Sequence, residues 1–316
     1  MLENNPDYLA KKNEFSRYYE QKILPSLMPL EKKRRKYLAT FLVICIFVIA
    51  WIAYSISTMQ KMPANSNTDT CFGLVSCILI LLLCLPMFSY FKQSKENLLP
   101  LVAGFFGNFE YVYQPPIFSN LLQKSKIVKA YEKIATDDGF NGTYTDLPIT
   151  ITEYNTYKYQ KPTKERLQAT LKKQSHGIFF SAHMLKNFTG QTLVVKDKGI
   201  LNRFAHYKNL AKVGLESTEF EKKYEVYSDS QVEARYILTP VMLEYMLELK
   251  KSFSDTEYSF FDNQLFMNIQ FKANYFEASN FFLPITSRKN IEKIFAELYL
   301  LFSIVDTLKL NQRRLL

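Results

Sequence analysis

Glycine is scarce in this chain, with nine residues in 316. No glycine-rich loop can cradle a phosphate, because Gly104 and Gly107 form only G-F-F-G with no Lys-Ser/Thr after them. Histidine is scarcer still: His176, His183 and His206 are all there are. Their spacing does not fit an H-E-x-x-H helix and no cysteine joins them, so no metal site is expected. Cysteine stops at position 84. Cys45, Cys71, Cys77 and Cys84 lie in or beside two apolar stretches, where a thiol acts as a small hydrophobe rather than a disulfide partner. No serine sits in G-x-S-x-G, which excludes an α/β-hydrolase nucleophile elbow. There is no internal repeat or low-complexity tract. The common catalytic constellations are therefore missing, and no cofactor is expected.

Charge is absent from two long runs, Leu38 to Thr58 and Phe72 to Phe91. Each has about the 20 residues a helix needs to cross a bilayer core. Trp51, Tyr54, Phe88, Tyr90 and Phe91 lie near their ends, where rings settle at the lipid interface. The flanks give a direction. Lys32, Lys33, Arg34, Arg35 and Lys36 abut the first run, and Lys92 and Lys95 follow the second. The loop between them carries only Lys61 against Asp69. The positive-inside rule then puts both termini in the cytosol and the short loop outside.

Before Tyr37 there are nine Lys/Arg against five Asp/Glu, an excess of 9 − 5 = +4 within the formal net charge of +10. This basic run, with no stacking aromatics interleaved, is expected to touch anionic headgroups rather than nucleic acid, at about 1 kcal/mol per nearby cation. The expected domains are a helical arm (1–36), a transmembrane hairpin (37–91) and a cytosolic domain (92–316). The arm reads as a helix begun at Pro6-Asp7 and ended by Pro25. Its apolar face, Leu9, Phe15, Tyr19 and Ile23, has two possible supports, the membrane or the cytosolic domain, and packing on the domain is favoured.

After Leu98 the pattern is α+β: antiparallel strands with packed helices. Helices are predicted over Leu121 to Ala135, Thr163 to Gln174, Val241 to Ser252 and Ser287 to Leu310. Strand alternation marks Gly142 to Tyr159, with a T-D-L-P hairpin turn inside it, Gly177 to Lys198 in two strands, and Phe260 to Phe271. Asp137-Asp138, between Thr136 and Gly139, reads as a solvated turn.

The densest segment is F-E-K-K-Y-E-V-Y-S-D-S-Q-V-E-A-R-Y-I-L-T-P, Phe220 to Pro240. Phe220, Tyr224 and Val226 are predicted to share a strand face. Ser230 to Glu233 has capping-box spacing for a helix over Gln231 to Leu238. Thr239-Pro240 starts another helix, as N-cap and first helical residue. Arg235 has no such role. It either pairs with a carboxylate such as Glu153 or Glu225, or binds an anion. Arg235, Asp229, Glu233 and Glu153 are therefore the candidate ligand or ion-pair residues.

That segment resembles the signature of an uncharacterised bacterial family of two-span membrane proteins, domain of unknown function 3137. F-S-R-Y-Y-E-Q-K-I-L-P, D-D-G-F-N-G-T-Y-T-D-L-P-I-T-I-T-E and K-N-F-T-G-Q-T-L-V-V are similar pieces in the same order, from about Phe15 to about Phe282. The family pattern has an acidic pair where Asp229-Ser230 stands, so this chain departs from it there. The resemblance implies the two-span architecture and a bacterial inner membrane, and it implies no reaction. The function expected is a membrane-anchored module that contacts lipid and binds a protein partner, with oligomerisation open and no nucleic acid. The alternative is an enzyme acting on a membrane-proximal substrate, using Arg235, Glu233, Asp229 and His183.

Overall fold

The computed structural model describes residues 5–59, 66–116, 119–160, 169–197, 207, 209–271, 274–278 and 281–310. The chain divides into two compact units. One comprises Met1–Phe105 and Glu277–Ile294, the other Phe106–Phe276 and Phe295–Leu316.

In the first unit Asn5 caps helix α1, Pro6–Tyr18, by accepting the Asp7 and Tyr8 amides. A π turn, Tyr19–Ile23, leads directly into α2, Leu24–Met59. Pro25 therefore does not end the arm, as the sequence had suggested. The π turn gives the reason. Leu24 N–H already bonds to Tyr19 O five residues back, so the normal ladder is interrupted where the proline amide is missing. The arm packs on protein. Phe15, Ile23 and Leu27 are fully buried. Phe15 meets Phe105 edge-on at 5.3 Å, and Tyr18 OH donates to Leu101 O at 3.2 Å near the end of α3, Ser66–Ala103. Tyr19 OH donates to Thr286 O at 2.8 Å.

Among the described residues one helix, Pro6–Thr58, is long and apolar enough to cross a membrane, while Gly73–Leu82 is apolar but shorter. Ile46, Phe47 and Ile49 of α2 are each 67% exposed. α2 and α3 touch in opposite directions: Trp51 Nε1 donates to Ser76 Oγ at 3.3 Å, and Lys33 Nζ to Gln93 Oε1 at 2.8 Å. In the basic run Lys32, Lys33, Arg35 and Lys36 are exposed, but Arg34 is buried. It is thus not the headgroup contact expected. Glu31, one turn earlier on the same face, takes it as a bidentate partner at 2.9 and 2.8 Å.

Among the described residues the second unit is built on nine antiparallel strands. In chain order the elements are β1 (Asn108–Tyr113), α4 (Ser119–Ser125), β2 (Lys133–Tyr144), β3 (Leu147–Gln160), β4 (Thr170–His183), β5 (Thr192–Lys196), β6 (Ala211–Val213), α5 (Thr218–Glu221), β7 (Tyr224–Ser228), α6 (Gln231–Ile237), α7 (Pro240–Ser252), β8 (Thr256–Phe261), β9 (Gln264–Gln270) and α8 (Arg288–Thr307). The last helix has residues in both units. The strand order is β1-β2-β3-β4-β9-β8-β5-β7-β6.

Four expectations change here. The helix expected to Ala135 stops at Ser125, because Lys126 takes a left-handed φ of 58° and Lys133 already starts β2. Thr163 to Gln168 lie outside the described residues. Thr170 to Gln174 are strand, since pairing with β3 (Tyr157 opposite Lys173) overrides weak helix signals. Phe260 to Phe271 is a hairpin rather than one strand. Asp262 and Asn263, at φ 52° and 57°, turn it, as Thr145 and Asp146 turn β2 into β3. Phe220 sits in α5, where Ser217 caps the turn, and not on a strand.

Successive strand residues face opposite ways, so Phe179 and Phe180 serve the two sides of the sheet. Phe179 packs with Leu122, Tyr154, Leu193, Tyr227, Phe261 and Phe266. At the β1–β2 end Phe302 of α8, 1% exposed, closes the core. Its ring lies 4.8 Å from Phe106, 4.7 Å from Phe109 and 5.1 Å from Tyr144. Phe302→Ala should cost about 3–5 kcal/mol of stability, and Phe302→Leu should cost less. Denaturant unfolding of the detergent-solubilised chain followed by near-ultraviolet circular dichroism checks this.

Candidate functional site

In the sheet β4 and β5 are separated by β9 and β8, so residues 184–191 must cross two strands. An irregular crossing segment has backbone amides that no ladder satisfies. Their partners come from two places. Asn263, in the β8–β9 turn, takes the Met184 amide on its carbonyl and the Phe188 amide on Oδ1, both at 2.8 Å. The segment after β7 takes the last three. Glu233 accepts the Thr189 amide at 3.2 Å, the Thr189 hydroxyl at 3.1 Å and the Gly190 amide at 2.6 Å. Asp229 accepts the Gln191 amide at 2.9 Å on both oxygens. A Cβ at Gly190 would lie 2.7 Å from Glu233 Oε2 and closer still to Asp229 Oδ1, so a larger residue would push both carboxylates off the amides they hold.

The capping box is therefore half formed. Ser230 Oγ does accept the Glu233 amide at 3.2 Å. Glu233 does not return the bond, because its carboxylate is engaged on Thr189 and Gly190. The Ser230 amide donates to Ser228 Oγ instead, at 3.1 Å. Thr239 caps α7 on the Met242 amide, with Pro240 in the first turn.

Arg235 is exposed and pairs with neither Glu153 nor Glu225. Its Nη1 donates to Gln231 O and Oε1, both at 3.1 Å, and its Nη2 to Gly214 O at 3.2 Å. Glu225 is taken by Lys212 at 2.6 Å and Tyr227 OH at 2.7 Å. Arg235 borders a hollow of about 370 Å³, lined also by Leu215, Glu216, Leu238, Leu243 and Glu244.

Glu153 belongs to a different constellation. Asp137-Asp138 is not a solvated turn. It forms a bulge in β2, between the Thr136 and Gly139 pairings, and Asp138 is fully buried. Tyr111 OH donates to Asp138 Oδ1 at 2.6 Å. Burial, then the charge of Asp138, pushes the Tyr111 phenol far above its usual range, so it remains a donor. Glu153, also buried, accepts the Tyr275 amide at 3.3 Å and meets His176 Nε2 at 3.2 Å. His176 Nδ1 lies 2.9 Å from Asn155 Oδ1. Burial, with Glu297 and Glu153 nearby, pushes the Tyr275 phenol up to about 12. Asp137, Asp138 and Glu153 bring one oxygen each within 4.8 Å of one another, a donor set of the kind that suits a hard divalent cation.

No sequence signal had joined His176 to Glu153, because the two meet only through the β3–β4 register. His183 is elsewhere, on a second hollow of about 300 Å³ with Asn141, Thr150, Ser181 and Gln264. His206 lies outside the described residues.

The bonds from Gly190 and then Thr189 hold the Glu233 carboxyl below its usual range. A depressed folded value stabilises the fold above the unfolded carboxylate value of about 4.3, and this support is lost as pH falls through the folded value. Glu233→Gln should therefore flatten the acid limb of stability against pH below about pH 4.3. Thermal melts of the full chain across pH 3 to 7 check the slope.

Residues 174–310 match the family model described as protein of unknown function (DUF3137). The match takes in the crossing segment, Asp229, Glu233 and Arg235, and begins after Asp138 and Glu153. No curated protein matches the chain. One solved structure, that of the mycobacterial trehalose monomycolate transport factor A, TtfA, is similar at 10% identity over 63% of this chain and 88% of its own, with a TM-score of 0.33. That overlap is too slight to assign a shared fold. Of the four stretches that carried the resemblance, Lys186 to Val195 and Phe220 to Pro240 lie inside the matched segment and the other two precede it, so it is residues 174–310 that are similar to the DUF3137 family of proteins of unknown function.

Proposed function

We propose that this chain is a membrane-anchored binding module. In this reading Leu38–Thr58 and Phe72–Phe91 form a two-span hairpin in a bacterial inner membrane, with both termini and the sheet domain on the cytosolic side. The observation that carries it is the apolar surface of α2, exposed over Ile46, Phe47 and Ile49. Apolar area of that extent on a helix of membrane-spanning length calls for a second apolar phase. Topology has a direct test. In a chain whose four native cysteines are replaced by alanine, a membrane-impermeant thiol reagent should label Asn65→Cys in intact cells. It should label Ser254→Cys only after permeabilisation, and the opposite pattern would overturn the hairpin.

The binding surface is the hollow beside Arg235. Leucine side chains and a proline share its wall with one arginine and two glutamates, a mixture suited to a polypeptide. Arg235 is bonded only to neutral groups, so its charge is available to an acidic side chain of the partner. The alternative, an enzyme with a membrane-proximal substrate using Arg235, Glu233, Asp229 and His183, has less support, since both carboxylates are bonded to the crossing segment and His183 lines a different hollow from Arg235. Arg235→Ala should leave stability within about 1 kcal/mol, since it loses exposed bonds to neutral acceptors. It should also abolish the crosslinks that a photoreactive residue at Ser217 makes in native membranes. Crosslinks unchanged by Arg235→Ala would exclude this hollow as the binding surface.

A further inference from the structure

The segment F-F-L-P-I, Phe281 to Ile285, places two large apolar side chains in the open: Phe282 is 53% exposed and Leu283 55%. Their neighbours are not exposed. Phe281 and Ile285 are fully buried. Phe281 lies edge-on to Phe41 at 5.7 Å and to Tyr90 at 5.5 Å, while Phe282 lies 5.8 Å from Phe41. This turn is therefore held against α2 and α3, with its tip facing outward.

The hold is specific. Arg34 Nη1 donates to Phe281 O at 3.0 Å, and Glu31 Oε2 accepts the Ile285 amide at 3.2 Å. The ion pair that removes Arg34 from the basic surface thus grips both ends of the turn. Arg34 draws the Glu31 carboxyl below its usual range, which keeps it an acceptor. Ser287 N–H closes the turn on Pro284 O at 3.0 Å.

Phe41 fixes the level of the tip. It is the fourth residue of the apolar run and lies five residues beyond Lys36. At 1.5 Å per residue that is roughly 7 Å along the helix. Amphipathic anchors bury their apolar side about 5–10 Å into the headgroup and acyl boundary, below a rim of Lys and Arg. Lys32, Lys33, Arg35 and Lys36 supply such a rim on the same helix. A basic rim above an apolar tip complements an anionic lipid surface better than a second copy of the chain, which would bring like charges together.

We infer that the Phe281–Pro284 turn is a second membrane contact, a wedge in which Phe282 and Leu283 enter the anionic lipid interface beside α2. It fixes the depth and rotation of the first unit instead of leaving it to swing on its spans. This rests on the proposal that Leu38–Thr58 crosses the bilayer, and one experiment separates the two.

The full chain, its native cysteines replaced by alanine, carries a single cysteine at Leu283, Leu42 or Glu14. Each variant is labelled with an environment-sensitive fluorophore and reconstituted in vesicles of phosphatidylcholine and phosphatidylglycerol. Some of the lipid carries a quencher near the top of its acyl chain. The expected result is a blue-shifted emission at position 283, lost to the lipid quencher as strongly as at position 42, while position 14 keeps its emission. Quenching at 42 but not at 283 would overturn the wedge and leave the anchor standing. Quenching at neither would overturn the anchor itself. A blue shift at 283 without lipid quenching would mean that protein covers the tip, and would also overturn the wedge.

Discussion

Irregular backbone must find partners for its amides, and in this protein carboxylates supply them. Glu233 and Asp229 hold the amides of Thr189, Gly190 and Gln191 where the chain crosses from β4 to β5. Glu221 takes the Leu215 amide, Glu297 the Phe276 amide, Glu153 the Tyr275 amide and Glu31 the Ile285 amide. With nine glycines in the chain, few loop positions can fold back into tight self-bonded turns. A charged acceptor does the same work from a distance and makes a stronger bond than a neutral one. The β4–β5 crossing matters most. If it loosens, β5 loses its place between β8 and β7, and one side of the sheet loses its register.

Two of these carboxylates sit in buried pairs, Glu31 with Arg34 and Glu153 with His176. A buried pair is a poor source of net stability, because desolvation offsets much of the attraction, but losing one partner strands the other charge. What each pair contributes here is position. Glu31 and Arg34 together fix Phe281 and Ile285. Glu153 fixes Tyr275, next to the residue that Glu297 fixes. Both pairs convert a charge that would otherwise face water into a constraint on a loop.

This economy decides what the sequence could and could not disclose. The arm start at Pro6-Asp7, the Thr145-Asp146 turn, the cap at Thr239 and the helix over Gln231 were legible, because each depends on residues one to four apart. The role of Glu233 was legible only by half. Its spacing from Ser230 is local, but its carboxylate goes to Gly190, more than forty residues away. Arg34 read as one of five equivalent cations because Glu31 is within one turn of both Arg34 and Arg35; the Phe281 carbonyl, far along the chain, is what singles out Arg34. The Asp137-Asp138 bulge read as a turn because a bulge and a turn use the same residues, and only the β1 and β3 registers separate them. Strand β4 read in part as a helix for a similar reason, since its polar first half gains its structure from β3.

The same reassignment changes how the proposed membrane association divides among forces. Of the five basic residues before the apolar run, Arg34 is neutralised by Glu31, and Arg35 shares that carboxylate at 3.1 Å. Three or four effective cations at about 1 kcal/mol each give at most about 4 kcal/mol with anionic lipid, less at physiological salt. A run of some twenty apolar residues in hydrocarbon contributes several times that, since one large aliphatic side chain alone is worth about 1.5–3 kcal/mol. In the proposed anchoring, charge at this site sets direction and apolar area sets retention. The acidic residue that weakens the basic run is the one that positions an apolar turn beside it. Glu31 thus trades a weak, salt-screened contribution for a short-range one that salt does not touch.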